Sequence, residues 1–100
     1  MGYTVYYQGC SDTPLTPEQR KIVTANVAKW SVRLSESAED YSWEYEDDGC
    51  QLSGFTKPGM DADDMDADIN VLIAAVRELQ AALQNVKFTV SDDYDLELFP

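Results

Sequence analysis

Residues 61–68 read DADDMDAD, five carboxylates and one methionine in eight positions. Carboxylates at that density can ligate a hard divalent cation, draw in a basic protein surface, or complement the positive end of a helix dipole. Spacing constrains the first of these. An EF-hand loop wants oxygen donors at its third and fifth positions, glycine at its sixth and glutamate at its twelfth. Counted from Asp61, those positions hold Asp63, Met65, Asp66 and Leu72, and the pattern fails. A looser cation site needs only converging oxygens, and Asp92, Asp93 and Asp95 supply a second acidic group. Asp61, Asp63, Asp64, Asp66, Asp68, Asp92, Asp93 and Asp95 are therefore the candidate binding carboxylates. A basic protein partner is the first expectation for them; a divalent metal or small ligand, with or without catalysis, is the alternative. Helix capping competes with both, since Asp61 can be an N-cap with Asp63 and Asp64 in the first turn.

The whole chain leans the same way. Nineteen acidic side chains face seven basic ones, with no histidine, for a formal net charge of −12. Binding to nucleic acid or to an anionic membrane relies on clustered Lys and Arg, so both are expected to be excluded. The missing histidine removes serine-type triads, HExxH zinc sites and the commonest acid–base group near neutral pH. Two cysteines cannot close a zinc site, and a CxxC redox motif is absent. No cofactor is expected, and the enzymatic reading recedes. No apolar run approaches the ~20 residues that cross a bilayer. The opening residues begin a strand-like pattern and fit neither a signal peptide nor a myristoylation motif, so the expected compartment is the cytoplasm.

The elements that must position these side chains follow from period and punctuation. Residues 3–8 are β-branched and aromatic and precede Gly9, which reads as a first strand. Thr16, Pro17 and Gln19 supply an N-cap, a first-turn proline and a capping-box partner. In the helix they open, Val23, Val27, Trp30 and Leu34 share one face, while Lys21, Ala28 and Val32 lie opposite; its end is expected near Ser35. Four of the seven basic residues, Arg20, Lys21, Lys29 and Arg33, belong to it. Residues 41–46 alternate aromatic and polar, and Asp48-Gly49 is a favoured hairpin turn. That turn sets Tyr45 opposite Leu52, Trp43 opposite Gly54 and Tyr41 opposite Thr56, with the Trp43 ring covering the gap at Gly54. Met65, Ile69, Leu72, Ile73, Val76, Leu79 and Leu83 fall on one arc of a second, longer helix. Val86, Phe88 and Val90 alternate with polar residues as a fourth strand, and residues 94–98 can add a short fifth.

The resulting order βαββαβ resembles the split β-α-β of ferredoxin-like domains: a single α+β domain with two helices on one face of a four-stranded antiparallel sheet ordered 4-1-3-2. An architecture shared by so many functions implies none of them. It does imply placement. The start of the second helix, the end of strand four and the start of strand two should share one pole, with Glu39 and Asp40 close to the aspartates. Cys10 and Cys50 should lie at one end of the sheet, where they can form a disulfide, although a reducing cytosol favours two thiols. Tyr41, Trp43 and Tyr45 are expected in the core. Tyr6 and Phe55 are expected on the uncovered sheet face, as a patch suited to a second copy of the chain or a flat ligand.

Overall fold

A computed structural model describes residues 3–46, 52–94 and 96–98. Its elements run β1 (Val5–Cys10), α1 (Pro17–Ser31), β2 (Glu44–Tyr45), β3 (Leu52–Thr56), α2 (Ala62–Ala82) and β4 (Lys87–Asp92). The strands form one antiparallel sheet in the order β2-β3-β1-β4, the expected 4-1-3-2 read from the other edge. Both helices cover one sheet face, giving the α+β, ferredoxin-like layout. Cys50 and the Asp48-Gly49 turn lie outside the described residues; so do Asp47 and Asp95.

Local chemistry explains where the helices begin. The Thr16 side chain accepts from the Gln19 backbone N–H, and the Gln19 side chain accepts in return from the Thr16 N–H, closing the capping box ahead of Pro17. Asp61 occupies the N-cap position of α2 with extended backbone, but its carboxylate makes no capping hydrogen bond. The expected cap is thus positional only. Replacing Asp61 with alanine should cost less than about 0.5 kcal/mol, below the usual effect of removing a bonded cap, and a urea melt of the variant checks this.

The core lies between the helices and the covered sheet face, where Val5, Tyr7, Leu52, Leu72, Val76, Leu79 and Val90 are fully buried. The Trp43 ring packs edge-on against Tyr7 and Phe88, with centroids 4.6 Å and 5.6 Å away. Tyr45, expected beside it, is instead exposed at the rim, with the Arg20 guanidinium 4.6 Å above its ring. The predicted register holds where strand forms, since Tyr45 faces Leu52 and Glu44 faces Ser53. Upstream of Glu44 the ladder stops, and the reason is Tyr7. Its hydroxyl donates to the Ser42 carbonyl at 2.9 Å, accepts from the Ser42 N–H and lies 2.8 Å from Thr56 Oγ1. The Thr56 hydroxyl in turn donates to the Asp40 carbonyl. Side chains therefore satisfy the backbone that pairing would otherwise satisfy. Gly54 permits this, because a Cβ there would collide with the Tyr7 ring and the Ser42 carbonyl oxygen. Tyr7, not Trp43, fills the space at Gly54.

At the other edge the tail turns back on β4. Leu98 N–H donates to the Val90 carbonyl, and Glu97 bridges Ser91, a remnant of the expected fifth strand.

Candidate interaction surface

Strand register and chain order set the ends of β3 and β4, residue 39 and the approach to α2 at one end of the sheet. Val5 at the start of β1 faces both Thr56 at the end of β3 and Asp92 at the end of β4. Beyond Thr56, the Lys57 carbonyl accepts from the Glu39 N–H, and the chain then enters α2. The carboxylates brought to this pole nevertheless divide into two groups with different work.

Asp68 and Asp92 turn inward. Asp68 is 1 % exposed. One of its oxygens accepts from the Ser35 N–H, and the other accepts from the Ser35 hydroxyl at 2.6 Å and the Gly59 N–H at 2.7 Å. It ties the turn after α1 to the loop before α2. Asp92 accepts from the Tyr3 hydroxyl on one oxygen and from the Tyr94 and Leu96 N–H groups on the other. The Tyr3 hydrogen bond is the main cause holding the Asp92 carboxyl below the ordinary aspartate pKa, with partial burial opposing it. Asp93 stays exposed and accepts from the Thr4 N–H and the Tyr6 hydroxyl. Asp61, Asp63 and Asp66 point to solvent, and Asp64 is half-buried. Among the described residues no three Asp, Glu or Cys side chains stand together as a metal-holding set, so the carboxylates at the pole share space without converging on one point.

The uncovered sheet face supplies geometry of a different kind. Strand alternation sends Tyr6, Gln8, Ser53, Phe55, Thr89 and Ser91 to that side. A groove of about 760 Å³ runs across it, from Thr89 and Ser91 on β4 to Glu39, Asp40 and Glu44 along the far edge. Its deeper part opens where residues 40–43 part from β3, so Tyr7 and Gly54 also contribute to its lining. Tyr6 and Phe55 are 44 % and 55 % exposed, with ring centroids 6.4 Å apart, which makes the aromatic patch expected from strand alternation. None of the seven Lys and Arg residues lines the groove.

Sequence reasoning placed Glu39 and Asp40 near the pole and Glu44 at the hairpin, without joining them to the aromatic patch. The missing signal is tertiary: the splay that sets Glu39 and Asp40 beside Phe55 depends on the Tyr7 hydroxyl. Three of the seven cations are engaged away from the groove, while Lys57 follows β3 at the pole. Arg20 covers Tyr45, Arg33 lies 4.5 Å over Trp30, and Lys29 pairs with Glu78. Glu78 also accepts from Trp30 Nε1 and Asn26 Nδ2, and the Lys29 hydrogen bond leads in lowering its pKa.

Fold and surface together define an acidic α+β domain whose open sheet face joins exposed aromatics to a carboxylate edge. No family model, curated protein or solved structure matches the chain. No described helix is long and apolar enough to cross a membrane.

Proposed function

We propose that this protein is a non-enzymatic interaction protein of the cytoplasm that binds a basic protein partner, in the manner of an inhibitor, an immunity protein or a mimic of nucleic-acid phosphate. The observation carrying the reading is the charge around the groove, with Glu39, Asp40 and Glu44 in its lining and no Lys or Arg. Exposed carboxylates flank the open groove and the start of α2, whereas Arg20, Lys29 and Arg33 are engaged on the protein's own aromatic rings and Glu78. A surface arranged in this way steers a cationic partner and repels an anionic one. It also disfavours self-association through the sheet. A two-fold pairing of this face about an axis across the strands would bring the Glu39, Asp40 and Glu44 edges of two copies into one contact, and any pairing adds two copies of a −12 charge.

The test is capture of partner from cell lysate on the immobilised protein at low salt, elution by salt, and measurement of affinity for the purified partner across ionic strength. The expected partner is basic. Its affinity should fall as salt rises, and substituting amides at Asp63, Asp66, Glu39 and Asp40 should weaken binding and flatten the salt dependence. Retention of no basic protein, or affinity indifferent to those four substitutions, would overturn the proposal. A dimer persisting in sedimentation at high salt would favour self-association instead.

A further inference from the structure

We infer that the open-sheet groove is the docking site for an extended, arginine-bearing segment of that basic partner, an inference that rests on the interaction reading above. Three observations select this occupant. The groove crosses β3, β1 and β4, with hydroxyl and amide side chains from Gln8, Ser53, Thr89 and Ser91 in its lining that can hydrogen-bond the backbone of a chain laid across them. Its two exposed rings, Phe55 and Tyr6, share the groove lining with Glu39, Asp40 and Glu44 and with no Lys or Arg. A guanidinium is the side-chain group that uses both at once, since its flat face stacks on an aromatic ring while its fork pairs with a carboxylate. The protein already sets two of its own guanidiniums over aromatic rings, Arg20 over Tyr45 and Arg33 over Trp30.

The site differs from the aspartates at the start of α2, where α2 places no aromatic ring among Asp61, Asp63 and Asp66. Those residues can add long-range attraction but offer a guanidinium no stacking surface. Lysine, a compact and strongly hydrated charge, would gain the attraction and little of the stacking.

The probes are three capped heptapeptides in which glycine alternates with arginine, with lysine, or with citrulline, the neutral analogue of arginine. Each is titrated into isotope-labelled protein at about 0.15 M salt, where long-range attraction is screened, and backbone amide shifts are followed. The arginine peptide should bind about two- to five-fold tighter than the lysine peptide, with the largest shifts at Ser53, Phe55, Thr89 and Ser91. The citrulline peptide should not bind measurably. Phe55→Ala, at an exposed position, should bring the arginine affinity down to the lysine level while leaving the melting temperature unchanged. Equal affinity for the arginine and lysine peptides, or shifts centred on residues 61–66, would overturn the inference. Failure here is separable from failure of the broader reading. A captured basic partner whose affinity survives Phe55→Ala and Glu39→Gln but falls with Asp63→Asn would keep the interaction function and discard the groove.

Discussion

Replacing Asp68 with alanine is expected to destabilise the protein by about 3–5 kcal/mol, near the top of what one substitution does. The carboxylate is buried and accepts three hydrogen bonds, two of them from backbone N–H groups of Ser35 and Gly59. Alanine leaves those donors in place without an acceptor, and water cannot enter freely to replace it. Urea unfolding followed by circular dichroism measures the loss. Asp68→Asn is the informative control, because it keeps one acceptor oxygen but points an amide N–H at a donor, so an intermediate loss is expected. A variant with wild-type stability and impaired partner binding would show that Asp68 acts at the surface and not in the fold.

The second large effect is expected at Asn26, on the buried side of α1. Its amide N–H groups donate to the Ala75 carbonyl and to Glu78, and its oxygen accepts from the Tyr41 hydroxyl. That hydroxyl accepts in turn from Trp43 Nε1. Asn26→Ala breaks the chain in the middle, leaving the Tyr41 hydroxyl without its acceptor and the Ala75 carbonyl with its helical bond alone, at an expected cost of about 2–4 kcal/mol. Tyr41→Phe removes the next link and should cost somewhat less. Because the two residues share one bond, the double variant should cost less than the two single losses added together. Thermal or urea melts of the three variants make the comparison; strict additivity would mean that the network does not couple the helix to the segment before β2.

Both residues show how far a sequence carries the reader. The amphipathic arcs of the two helices, the capping box at Thr16 and the register of Tyr45 against Leu52 were legible because each depends on neighbours in sequence or on a strict period. Asp68 was visible only as one of five aspartates, although its position on the stripe with Leu72, Ala75, Val76 and Leu79 marks it as inward-facing. Asn26 lies likewise between Val23 and Val27 on the buried side of α1. A polar residue on an apolar stripe is thus a readable signal of a buried hydrogen-bond network, but its partners are not readable, because they come from other elements. The same limit hid the groove. Nothing within residues 39–44 announces that the chain will leave β3, because the group that satisfies its backbone is a tyrosine hydroxyl from β1. Gly54 was noticed as a gap, and the ring that occupies it was assigned to the wrong strand.

The central position of β1 has a consequence in time. This strand is made first among the described elements, yet both its partners come late, and the bond between Tyr3 and Asp92 joins residues 89 positions apart. Closing such long loops delays folding, because the entropy of bringing the ends together is lost before the sheet gives anything back. During synthesis β1 therefore waits, unpaired, while the helices and the β3 segment emerge, and the sheet closes around it only when residues 87–92 have been added. The acidic side chains that come after Ser35 then give the growing chain the negative charge that opposes sticking to its neighbours.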